Sequence, residues 1–427
     1  IAAIGSTSPA CSVEVDAAGS YVMPGGVDCH VHMGQMSSMG DMTADDFRSG
    51  SRSAAFGGTT TIVPFAAQHR GMSMRQVFDD ALQRAEAEMA IDYGMHLIAT
   101  DLTGPAFAAL EEITAAGAAA IKIYLTYQRL KVAGSDAIEL MRSAADHGVP
   151  VMVHAEDDIL VGWGRDQMID AEEYGARSHA ISHSRAAEIS GVAHAIGLAE
   201  AAGATLYLAH ISTPQSIDLV DDARARGVAV VAETCPHYLT LDESVYDEPI
   251  AKSAPFMCSP PLRDAAEIKG LLDQLAGGQI DLVASDHSPY TMEQKIPNGD
   301  ATKFTEVANG LPGVELRLPI LYTAAVVSGR LTMSDFVRLV AANPARVCGM
   351  HPRKGSLEIG ADADLVIWDD TPWIVSADDL HDNVGYTPYE GIELAGKAGT
   401  VISQGEVIVG EGVVDLVAGR GRFVPRG

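Results

Sequence analysis

The chain reads as an α/β protein, a TIM-like (β/α)8 barrel with a small β-sandwich domain formed from both chain termini. Three observations predict this. From about residue 25 to 290, short β-branched or apolar runs alternate with Ala-rich stretches of helical spacing. Eight such runs occur, and both ends of the chain switch to short strands with Gly turns and no long helical partners. Strands alternating with helices pair in parallel through right-handed crossovers, and eight of them can close a barrel. A doubly wound open sheet is the alternative, but no Gly-rich dinucleotide turn follows the first run.

In chain order the runs are 27–32 (VDCHVH), 59–65 (TTTIVPF), 94–99 (GMHLIA), 119–125 (AAIKIYL), 150–155 (PVMVHA), 205–210 (TLYLAH), 228–233 (VAVVAE) and 281–286 (DLVASD). Helix-like stretches fall near 43–56, 73–91, 105–116, 135–147, 184–202, 214–226 and 264–276. Thr43, Ser73 and Ser135 read as capping residues, and Gly117, Gly148, Gly203 and Gly227 as stops. After about 350, KGSLEIGADADLVIWD (354–369) and TVISQGEVIVGEGVV (400–414) are strand-like, as are residues 1–22. The small domain is therefore expected from 1–24 and 350–427, and the barrel from 25–349.

Composition narrows the function. With 427 residues, 47% hydrophobic and 20% charged, the chain can bury a large core, which excludes disordered, collagen-like and disulfide-scaffold classes. Acidic residues outnumber basic ones 57 to 29, a net charge of −28 that repels phosphate backbones and anionic membranes. No nucleic acid or membrane partner is expected, whereas a small neutral substrate is compatible. The cysteines, Cys11, Cys29, Cys235, Cys258 and Cys348, are odd in number and form no C-x-x-C, which argues for a reducing compartment. No apolar run reaches the ~18 residues of a membrane span, and no secretory signal pattern opens the chain. A cytoplasmic location is expected. The sequence lacks an initiator Met and opens as if inside a strand, so the natural N-terminus is expected to lie upstream.

Chemistry-bearing residues gather at the run ends. His30 and His32 sit at i and i+2, which places both imidazoles on one face of the first strand, a ready pair of metal ligands. Lys122 lies between Ile121 and Ile123, His154 ends the fifth run, His210 the sixth and Asp286 the eighth. Polar groups in a barrel lumen are costly unless paired or bound to metal, and here five strands each supply one or two of them. Lys122 cannot ligate a cation as an ammonium. Burial lowers its pKa, and the neutral amine can capture carbon dioxide as a carbamate whose oxygens bridge two metals. The competing reading pairs Lys122 with Asp286 or Glu156. Cys29 and Cys258 read as small packed groups. His287 reads as a packing or hydrogen-bonding neighbour of Asp286, and His237 as support for the seventh strand.

H-x-H on strand 1, Lys on strand 4, His on strands 5 and 6 and Asp on strand 8 resemble the binuclear-metal amidohydrolase superfamily. Over nearly its whole length the chain resembles the dihydropyrimidinase/D-hydantoinase branch, through PGGVDCHVH (24–32), TADDFRSGSRSAAFGGTT (43–60), KIYLTY (122–127), VHAED (153–157), ETCPHYLT (233–240), CSPPLR (258–263), ASDHSPY (284–290) and NGLPGVE (309–315). The resemblance implies two zinc ions per subunit, with manganese or cobalt as alternatives. His30, His32 and Asp286 would hold one ion, His154 and His210 the other, and N6-carboxylated Lys122 would bridge them. Tyr127 would polarise the substrate carbonyl, and main-chain groups at Ser259 and Asn309 would hold the cyclic imide. A hydroxide shared by the metals would open a dihydropyrimidine or hydantoin ring to an N-carbamoyl amino acid, with Asp286 as base and then acid. A homotetramer is also implied.

Some positions depart from the branch. The loop after strand 1, MGQMSSMGDM (33–42), replaces an acidic and an aromatic residue; Met33, Met36, Met39 and Met42 read either as a deformable apolar wall or as a solvated loop. Pro64 stands where relatives often have Asp, and SHSRAAE (182–188) lacks their paired prolines, which leaves the ring substrate open. Allantoinases are the nearest rivals but lack the tyrosine matched by Tyr127. Dihydroorotases carry Arg where this chain has Gly34. The collapsin response mediator proteins, non-catalytic scaffolds of the same fold, lack the metal ligands, all six of which are present here.

Overall fold

The computed structural model describes residues 1–427 except 7–10, 12, 38–39, 103–105, 133, 411–412 and 415. Met39 therefore lies outside the described residues.

Eight parallel strands form the barrel: β1 (Gly26–Val31), β2 (Thr59–Ala67), β3 (His96–Ile98), β4 (Ile121–Tyr124), β5 (Val151–His154), β6 (Leu206–Leu208), β7 (Val230–Thr234) and β8 (Leu282–Val283). Each pairs with the next in chain order. The seam between β1 and β8 closes through a parallel bridge of Val31 with His287, where the His32 N–H donates to the His287 carbonyl at 2.6 Å. At its other end the buried Arg317 guanidinium donates to the carbonyls of Val27 and Val283.

Alternation along the strands sorts side chains between two cores. On β4, Ile121 and Ile123 join the core under the helices, while Tyr124 belongs to the lumen core with Phe65, Met152, Tyr207 and Leu282. These largely apolar lumen side chains pack against the ligand residues, with the Phe65 ring stacked on that of His32 at 4.6 Å.

The strands are shorter than the runs suggest. His210 and Asp286, expected at strand ends, lie beyond β6 and β8 on left-handed backbone at φ 40° and 47°. Two expected caps are also corrected. Asp46, not Thr43, caps helix Phe47–Phe56, because its carboxylate accepts from the Ser49 N–H at 2.8 Å. Ser135 is the first residue of its helix, with Gly134 at the cap. Ser73 does cap Met74–Glu88.

A five-stranded antiparallel sheet draws on both ends of the chain: Val22–Pro24 pairs with Leu365–Asp369, followed by Lys397–Ser403, Glu406–Gly410 and Val413–Val414. A two-stranded ribbon, Trp373–Ile374 with Glu393–Leu394, accompanies it. The final residues return to the base of the barrel, where the Tyr93 N–H donates to Arg422 O and the Val424 N–H to Tyr93 O. Among the described residues no helix is long and apolar enough to cross a membrane.

Candidate active site

The mouth of the barrel at the C-terminal ends of the strands holds a cavity of about 460 Å³. His32, Lys122, Tyr127, His154, His210, Ser259, Asp286 and Asn309 line it. His30 lies just behind, fully buried.

The six ligand-type side chains are contiguous. Lys122 Nζ is 2.7 Å from His30 Nε2, and His154 Nδ1 is 2.9 Å from His210 Nε2. Asp286 Oδ1 is 3.1 Å from His30 Nε2 and 3.4 Å from His32 Nε2. Ligand atoms of His30, His210 and Asp286 all lie within 4.8 Å of one another, which links the two groups. Donors on a tetrahedral metal sphere with bonds near 2.0–2.1 Å stand roughly 3.4 Å apart, so the spacing of His30, His210 and Asp286 is compatible with holding a metal ion. The His210 Nδ1 is buried with no hydrogen-bond partner.

The electrostatics suit cation binding. Burial pushes the His32 pKa down to about 4 and that of His210 well below its usual value, leaving neutral rings with a free lone pair. Burial likewise lowers His154, against the opposing pull of Glu156. Burial would raise the Asp286 carboxyl, but His30, His32 and His210 outweigh it and hold the group well below the usual carboxylate range. Burial brings Lys122 down to about 8, partly offset by Asp286 and Glu233, which brings the free amine within reach near neutrality. Lys122 pairs with His30 rather than with Glu156.

Two carboxylates orient these rings: Glu233, not singled out from the sequence, and Glu156, weighed there only as a partner of Lys122. His30 Nδ1 donates to Glu233 Oε1 at 2.6 Å, and the same oxygen accepts from the His210 main-chain N–H at 2.8 Å. Tyr207 donates to the other oxygen. His154 Nε2 donates to Glu156 Oε2 at 2.7 Å, and His183 occupies Glu156 Oε1 at 2.9 Å. Such partners fix the tautomer that presents the opposite nitrogen to a metal. The signal in the sequence was a carboxylate at the end of a strand run, the same one that marks Asp286.

Tyr127 sits on left-handed backbone at φ 71°, with its ring 5.1 Å from that of His154. Burial and the charge of Glu156 push its phenol well above the usual value, against a hydrogen bond with Ser259, so the hydroxyl stays protonated. His179 Nε2 donates to Cys258 O at 2.7 Å beside Ser259. His287 packs as expected, linking Asp45 at 3.1 Å to the Gly313 N–H at 3.1 Å. His237 is buried away from the cavity. Of the loop methionines Met36 lines the cavity, Met33 is buried and Met42 is exposed.

The profile of the amidohydrolase family matches residues 21–408. The chain belongs to the amidohydrolase family. This amidohydrolase is 36% identical over 416 residues to a D-hydantoinase of Streptomyces coelicolor, covering 96% of this chain and 88% of that one. It is 37% identical over 418 residues to a D-phenylhydantoinase of Escherichia coli, covering 97% and 89%. The crystal structure of dihydropyrimidinase from Brevibacillus agri superposes with a TM-score of 0.96 at 33% identity, covering 100% of this amidohydrolase and 93% of that chain.

Proposed function

We propose that this amidohydrolase uses two zinc ions to open the ring of dihydropyrimidines or hydantoins, giving N-carbamoyl amino acids. The observation that carries the reading is the convergence of six ligand-type side chains, from five barrel strands and the residues just past their ends, at one cavity, with contacts of 2.7–3.4 Å. His30, His32 and Asp286 would hold one ion, His154 and His210 the other, and carboxylated Lys122 would join them. Function in the cytoplasm as a homotetramer belongs to the same reading and rests on family resemblance.

When bound, such a metal pair supplies Lewis acidity and a water made nucleophilic at neutral pH. The chain's own groups do the rest. Asp286, held as a carboxylate by the histidines around it, takes the proton of the attacking water. Its conjugate acid is strong, so it passes that proton to the ring nitrogen as the C–N bond breaks. Tyr127 keeps its proton and donates to the carbonyl oxygen as negative charge develops there. The main chain at Ser259 and Asn309 aligns the ring amide with these groups.

The test is a side-by-side comparison of rates on dihydrouracil, hydantoin, allantoin and dihydroorotate. The first two are expected to be the best substrates, and Asp286→Asn is expected to reduce their turnover by about 10²–10⁴-fold or more. A preference for allantoin would move the chain to another branch, and full activity in Asp286→Asn would remove the proposed proton carrier.

A further inference from the structure

Lys295 ends the short helix Met292–Lys295 and is fully buried. Its Nζ donates to three main-chain carbonyls: Met257 at 3.1 Å, Ala308 at 2.9 Å and Gly310 at 2.6 Å. Those carbonyls belong to two separate cavity-lining segments. Met257 lies two residues before Ser259, and Ala308 and Gly310 flank Asn309. The segments also meet directly, through the Gly310 N–H donating to Met257 O at 2.9 Å.

An ammonium carries three hydrogens, and three acceptors take all of them. A side chain without donors would leave the Ala308 and Gly310 carbonyls without their Lys295 partner in a dry interior, while the Met257 carbonyl keeps the Gly310 N–H. Burial pushes Lys295 down to about 7, so placing a cation here works against its solvation and calls for a local reason. The segment it grips tolerates little displacement. Gly310 stands at φ 149°, and a Cβ there would meet the Ser288 Cβ at 2.4 Å, two residues past Asp286. The Asn309 Oδ1 is buried without a partner beside this anchor.

We propose that Lys295 is a positioning residue for ring recognition: by holding the carbonyls of Met257, Ala308 and Gly310 it sets the Ser259 and Asn309 main chain at the spacing a cyclic imide requires. It touches neither substrate nor metal, and the proposal rests on the reading of Ser259 and Asn309 given above. Steady-state kinetics of Lys295→Met test it, with Lys295→Gln carrying the same comparison should the methionine variant fail to fold. KM for the best ring substrate is expected to rise tenfold or more while kcat falls less than threefold. Metal content and the inhibition constant of acetohydroxamate, a chelator that reads the metal pair alone, are expected to stay within twofold of wild type. Lys295→Arg, which keeps charge and donors, is expected to recover part of the KM. An unchanged KM, or a parallel loss of kcat, metal and hydroxamate affinity, overturns the positioning role. A wild-type protein that opens no ring overturns the functional reading itself, and this proposal with it.

Discussion

Tyr127, His210 and Asp286 share left-handed backbone, a conformation that costs a non-glycine residue about 1–3 kcal/mol. Only Ala18, Glu172 and Gln404 join them among the described non-glycine residues, so strain is concentrated at the mouth of the barrel. Tyr127, His210 and Asp286 all line the cavity. For Tyr127 the result is a half-buried side chain that lines the cavity and keeps its phenol proton. Tyr127→Phe is expected to lower kcat/KM by about 10²–10³-fold, the size of a lost oxyanion donor, with metal content unchanged. A loss below threefold would show that the hydroxyl takes no part in stabilising the developing charge.

At the level of elements, the eight strands were legible because apolar runs and capping signals recur at regular intervals, and the proposed site residues stood out because charge in an apolar run is expensive. Of the helices missed in the sequence, which include Pro236–Thr240, Arg317–Leu321, Met333–Val337 and Asn343–Val347, two longer ones show a physical reason. Asp158–Asp170 (DILVGWGRDQMID) contains two glycines and buries only Val161 and Gly164, so it has no apolar stripe. Ala176–Ser182 is seven residues long and buries Ser178, His179 and Ser182 instead of large apolar groups. Glu156 was weighed only as a partner of Lys122, and Glu233 not at all, because a carboxylate beside a strand also reads as the start of a loop. The contact between barrel and terminal sheet was equally hidden, since it depends on residues far apart in the chain. Lys354, buried, pairs with Asp92 beside β2 and with Asp364 at 2.6 Å and Asp362 at 2.9 Å near the terminal sheet. Removing its charge strands Asp92 and Asp364 in the interior, which typically costs roughly 3–5 kcal/mol. Lys354→Met is therefore expected to lose that much stability in urea unfolding while keeping ring-opening activity in the folded protein. A loss under about 1 kcal/mol would show that the pairing does not hold the two parts together.

Over the whole molecule, Phe65, Met152, Tyr207 and Leu282 fill the lumen around the ligand cluster, so charges placed there are weakly screened. The net charge of −28 favours cations and small neutral rings over anionic ligands. Fold, charge and ligand set are therefore compatible with the proposed cation pair at the mouth of the barrel. Elemental analysis of the purified protein and of Lys122→Ala tests that claim most directly. The expected result is close to two zinc ions per chain in the wild type and no more than one in Lys122→Ala. One ion or none in the wild type, or two retained without the lysine, would contradict a paired site joined by Lys122.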